Sequence, residues 1–201
     1  MADALLPIPL NQRAIHLCID MQRIFSVDGV WPAPWMERVL PVVGELVARF
    51  PERTVFTRFI TPDVPEDMPG MWQRYYRRWR AATRSELPEG SLDLMPALAR
   101  FVPPATVIDK TRYSAFSTPQ MLTCLHERGI NSLIITGSET DVCVLATVLD
   151  AVDLGFRVIV VRDAVCSSSD AGHDALLRVY HGRYSEQIET ASAEDVLRLW
   201  T

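Results

Sequence analysis

Short runs of β-favouring apolar residues alternate along this chain with stretches whose apolar positions recur every three or four residues. That alternation predicts strands and helices in turn. The runs at 14–19, 54–59, 106–109, 132–136 and 157–161 are predicted strands, and 185–190 a sixth, at an edge. The first of them, AIHLCI, is almost wholly apolar, as expected of a strand covered on both faces of a parallel sheet.

Between the strands lie predicted helices. The segment 34–50 carries Met36, Val39, Leu40, Val43, Leu46 and Val47 at helical spacing and ends at Pro51. A helix from about 118 to 128 would be capped by Ser117 or Thr118 and stopped by Gly129. A third starts near 142, with Thr140 or Asp141 as N-cap, and stops at Gly155. Segments 171–180 and 193–200 complete the set, the last capped by Ser192. The stretches 60–70, 86–93 and 163–169 read as loops. The architecture this implies is α/β: a single domain over 1–201, with three α/β/α layers and an open, mainly parallel six-stranded sheet.

An insertion at about 62–92 interrupts the alternation. Within 71–83, Trp72, Tyr75, Tyr76 and Trp79 recur at i, i+3, i+4 and i+7, so one helix would carry four aromatics on one stripe with arginines around it. Such a stripe covers the domain's own core or its cavity, with a neighbouring subunit and then a nucleic-acid surface as less favoured alternatives.

Composition narrows the function. A formal charge of −5 argues against a general nucleic-acid binder, and the apolar runs are too short to span a membrane. No basic start followed by a long apolar segment is visible in residues 1–13, and four cysteines without a CxxC pair suit a reducing cytoplasm. The four histidines form no metal-ligand pattern, and no GxGxxG follows a strand, so neither a metal nor another cofactor is expected. Nineteen of the twenty basic residues are Arg, leaving Lys110 as the single Lys. Either the site needs a compact charge with an adjustable pKa there, or an Arg-biased chain retains one Lys by chance.

Three polar residues fall at or just beyond carboxyl ends of predicted strands: Asp20, Lys110 and Cys143. Open α/β sheets bind ligands outside those ends, so the three can converge. Each also has an ordinary structural reading. Asp20 could cap a turn, and Cys143 could pack as a small apolar residue, the reading given to Cys18, Cys124 and Cys166. In the first turn of a helix, however, free N–H groups favour a thiolate. Phe25, Tyr113 and Phe116, with Trp31, Trp72 and Tyr76 behind them, are candidate pocket residues or plain core.

The segments Asp20-Met21-Gln22, Lys110 followed by Tyr113-Ser114-Ala115-Phe116, and Gly137-Ser138-Glu139-Thr140-Asp141-Val142-Cys143-Val144 resemble the isochorismatase-like cysteine hydrolase superfamily over essentially the whole chain. That family includes nicotinamidases, N-carbamoylsarcosine amidases and ureidoacrylate or biuret amidohydrolases. The resemblance implies a catalytic triad of Asp20, Lys110 and Cys143. It also implies a cis peptide at Ser138–Glu139 and an oxyanion hole from the N–H groups of Glu139 and Cys143. A homodimer or homotetramer is expected, acting on a small-molecule substrate with no nucleic-acid or membrane partner. Metal-dependent nicotinamidases carry Asp-x-His after the second strand, where this chain has Thr57-Arg58-Phe59-Ile60-Thr61. Isochorismatases proper lack the Cys. The expected activity is therefore cysteine-dependent cleavage of a C–N bond in a small amide or ureido compound. The alternatives are a non-catalytic binding relative, hydrolysis of isochorismate-type substrates, or redox sensing. Glu139 replaces a small or neutral residue, and its side chain either contacts substrate or points to solvent.

Overall fold

The computed structural model describes residues 9–201. The stretch read for a secretory leader therefore lies mostly outside the described residues. Six strands, β1 (Ala14–Ile19), β2 (Thr54–Phe59), β3 (Thr106–Lys110), β4 (Ser132–Ser138), β5 (Arg157–Cys166) and β6 (Ile188–Ala191), form one sheet. Its order is β3-β2-β1-β4-β5-β6 and every pairing is parallel.

Strand geometry sends successive side chains to opposite faces, and β1, buried at all six positions, divides its residues accordingly. Ala14 and Cys18 join the apolar cluster beneath helix α1 (Met36–Arg49) and helix α7 (Ala193–Leu199). Ile15, Leu17 and Ile19 join the cluster under α4 (Pro119–Glu127), α5 (Leu145–Asp153) and α6 (Asp170–Arg183). Helix α1 buries Met36, Val39, Val43, Leu46 and Val47, the stripe its spacing predicts. Each such side chain contributes about 1.5–3 kcal/mol by leaving water. Ser192 caps α7 by accepting from Asp195 N–H, as expected.

The sheet winds outward from its centre, through β2 and β3 on one side and β4 to β6 on the other. The carboxyl ends of β1 and β4 therefore flank the point where strand order reverses, the place where such sheets leave a crevice. Gly137 brings those ends together. Its φ is +110°, and a Cβ there would meet Ile19 O at 2.0 Å, so no other residue fits.

The elements differ from expectation in four places. Strand β5 runs on to Cys166 through residues expected in a loop. A register shift between Ile135 and Gly137 lets Val165 and Cys166 pair again with β4, and Asp163, the first residue read as loop, sits in that irregularity. Helix α2 (Met71–Arg78) ends before Trp79, giving way to a tighter turn at Arg80–Ala82. A short helix α3 (Pro96–Ala99) lies where none was expected. The turn carrying Cys143, Thr140–Val144, is π-helical, and neither Thr140 nor Asp141 caps it. Their side chains reach outward instead. Thr140 Oγ1 pairs with His173 Nδ1 at 2.9 Å, and Asp141 Oδ1 accepts from Ser167 Oγ at 2.6 Å. Among the described residues no helix is long and apolar enough to cross a membrane.

Candidate active site

Asp20 follows the last residue of β1 with φ at +47°, the one non-glycine residue with positive φ among those described. Short polar side chains tolerate that region because they bond locally. Thr57 on the adjacent strand β2 provides the bond twice over. Its Oγ1 donates to Asp20 Oδ1 at 2.6 Å and accepts from Asp20 N–H at 3.1 Å. On the second carboxylate oxygen, Lys110 Nζ donates to Asp20 Oδ2 at 2.6 Å, both side chains being wholly excluded from solvent. Lys110 also donates to Arg112 O at 3.0 Å and stands 5.0 Å from the Phe59 ring centre. Gln22, two residues past Asp20, accepts from Phe59 N–H at 2.6 Å and donates to Leu92 O at 2.8 Å, tying the end of β2 to the insertion.

Cys143 is 5% exposed and opens onto a cavity of about 360 Å³. Thr147 Oγ1 fixes its turn by donating to Cys143 O at 2.7 Å and accepting from Ala115 N–H at 3.0 Å. Burial pushes the thiol pKa well up. The Asp20 charge adds to the rise and the Lys110 charge opposes it. At neutral pH the resting residue is a thiol. Burial likewise raises Cys18 and Cys166 to about 12 each.

The structure thus brings Asp20, Lys110 and Cys143 to one place, and the peptide joining Ser138 and Glu139 is cis. Glu139 is half-buried on the cavity wall, its Oε2 accepting from Ser168 N–H at 2.9 Å and from the Ser168 hydroxyl. Of the aromatics singled out from the sequence, Phe25, Trp31 and Tyr113 line the cavity. Three do not. Tyr76 is fully buried behind Trp31, their ring centres 6.5 Å apart, and Trp72 backs Tyr113 at 4.8 Å. Phe116 stacks on Phe156 at 5.8 Å, away from the cavity, because Ala115 rather than its neighbour is pinned to the Cys143 helix.

The wall also holds residues the sequence reading missed. Phe59, Tyr75 and Trp79 complete the aromatic lining around Trp31, with ring centres 6.2, 6.0 and 6.2 Å from it. Tyr75 and Trp79 belong to the aromatic stripe, and either could have been chosen in place of Trp72 and Tyr76 had the facing edge been legible. Phe59 ends strand β2, in the segment whose lack of histidine argued against a metal site. Among the described residues no three His, Cys, Asp or Glu side chains gather to hold a metal ion.

A family model described as the isochorismatase domain matches residues 14–192. The chain belongs to the isochorismatase family. An uncharacterised isochorismatase family protein, PncA of Bacillus subtilis, is 46% identical over 66 residues, covering 33% of this chain and 36% of its own length. Maleamate amidohydrolase of Pseudomonas putida is 29% identical over 132 residues, covering 64% of this chain and 59% of its own. Both matches thus span less than two thirds of the relatives. A crystal structure of a cysteine hydrolase from Pseudomonas syringae pv. phaseolicola superposes with a TM-score of 0.81 at 22% identity, covering 98% of this chain and 97% of the other, a likeness of fold. Across the isochorismatase fold of this chain, the cis bond and the Cys143 turn lie at the end of β4, beside the end of β1 that carries Asp20.

Proposed function

We propose that this isochorismatase family protein is a cysteine hydrolase that cleaves the C–N bond of a small amide or ureido compound, through an acyl-thioester on Cys143. The observation that carries the reading is the buried Asp20–Lys110 ion pair beside the thiol of Cys143, which itself lines the cavity. Dehydrating an ion pair is costly and contributes little net stability, so its presence at a cavity is better accounted for by chemistry. The name of the maleamate relative supports the same class.

In the reaction, Sγ attacks the substrate carbonyl carbon as the thiol proton passes to Asp20. The transfer moves charge within the buried group without creating any, so burial opposes it less than it opposes loss of the proton to water. The backbone N–H groups of Glu139 and Cys143 receive the developing oxyanion. The C–N bond then breaks, and the departing nitrogen takes the proton from Asp20. Water, giving a proton to Asp20, attacks the thioester carbon. Sγ leaves and recovers that proton, releasing the acid. Lys110 and Thr57 hold the Asp20 carboxylate in one orientation throughout.

Acid quenching during turnover, followed by peptide mass analysis, tests the covalent step. The expected result is an acyl adduct on the peptide containing Cys143. Turnover with water attacking directly and no adduct at any quench time contradicts it.

A further inference from the structure

The cavity wall carries charge of one sign only. Six of its twelve lining residues are aromatic: Phe25, Trp31, Phe59, Tyr75, Trp79 and Tyr113. Among the described residues no Arg, Lys or His lines it, and Glu139 is its single carboxylate. Among the described residues Glu139 forms no ion pair, and its bonds to Ser168 both fall on Oε2. Lys110, which stands behind the wall against Phe59, is already paired with Asp20.

Aromatic faces present negative charge density, and a dehydrated cation over them is stabilised. One ring of this wall already does so, since the Lys110 ammonium stands 5.0 Å from the Phe59 centre. A carboxylate-bearing molecule entering the same space would lose its hydration, face Glu139, and find no cation on the wall. The Tyr75 and Tyr113 phenols feel the same field. Burial first, and then neighbouring charge that includes Glu139, pushes both upward, so both stay neutral.

We infer that the cavity is selective for a cation, with the aromatic wall and Glu139 holding an alkylammonium group. Resting on the hydrolase reading, the substrate class is then small amides or ureido compounds that carry an alkylammonium group on the acyl side of the scissile bond.

Binding separates this inference from catalysis. Tryptophan fluorescence of the Cys143→Ala protein is titrated with choline and with its uncharged carbon isostere, 3,3-dimethyl-1-butanol. Choline should bind at least about tenfold more tightly, and the ratio should fall toward one in Cys143→Ala/Glu139→Gln. Equal or tighter binding of the neutral isostere, or binding of neither, overturns the inference. In the wild type, kcat/KM for betaine amide over 3,3-dimethylbutanamide should show the same preference. That ratio divides out any loss common to both substrates. Selective choline binding with no amide turned over would support the cation site and sink the hydrolase reading. Turnover favouring the neutral amide would do the reverse.

Discussion

Lys110 Nζ and Asp20 Oδ2 lie 2.6 Å apart with neither side chain exposed, although they are ninety residues apart in sequence. Removing either partner strands the other charge in a dry site. Lys110→Met or Asp20→Asn should therefore destabilise the protein by about 3–5 kcal/mol, lowering Tm by roughly 6–20 °C in a chain of this size. The double variant Asp20→Asn/Lys110→Met should be more stable than the sum of the single losses implies. Strict additivity in calorimetry would mean the two do not act as a pair.

Thr57 meets Asp20 through both its carboxylate and its N–H. Thr57→Val keeps the shape and removes both bonds. A hydrogen bond to a charged group is worth about 1.5–3 kcal/mol. The variant should lower kcat with KM little changed, because Asp20 is misoriented while the cavity wall is not. A rise in KM alone would place Thr57 in substrate binding.

The Cys143 thiol is raised partly by the Asp20 charge. In Asp20→Asn that contribution disappears and Lys110 acts unopposed. The thiol pKa should fall, so thiolate absorbance should appear at lower pH while hydrolysis is lost. The pairing of a more acidic thiol with a dead enzyme distinguishes a base from a mere activator of the thiolate. An unchanged or higher thiol pKa in the variant would contradict the assignment.

His16, buried beneath the sheet with its Nε2 on Thr136 Oγ1 at 2.8 Å, is lowered by burial to about 3. Its unfolded pKa is about 6.5. Between those values the unfolded chain binds a proton that the folded one refuses, so stability must fall as pH drops. The total loss approaches roughly 5 kcal/mol near pH 3. Denaturant midpoints for wild type should decline over this range, whereas those of His16→Gln should decline less steeply. Parallel profiles would exclude His16 as the source.

The sheet was legible because burial on both faces leaves β1 and β4 as mostly apolar runs, broken by few polar residues. Asp20, Lys110 and Cys143 were legible because the ends of such runs are where parallel sheets hold polar groups. What stayed hidden arrives from outside those runs. Thr57 reads as an ordinary strand residue until its neighbour strand is known, and Ser168 reaches Glu139 from a loop twenty-nine residues later. The π turn at Cys143 leaves no mark, since one extra residue in a turn changes no composition. Phe116 was misplaced because nearness in sequence to Lys110 says nothing of the direction its ring takes.

If Cys143 performs the chemistry, every turnover requires its thiol. Ammonia release is measured for wild type and Cys143→Ala against nicotinamide, N-carbamoyl amino acids, biuret, ureidoacrylate-like acids and betaine amide. Wild type should turn over at least one compound, and Cys143→Ala none above background. Equal rates in the two proteins would contradict that requirement.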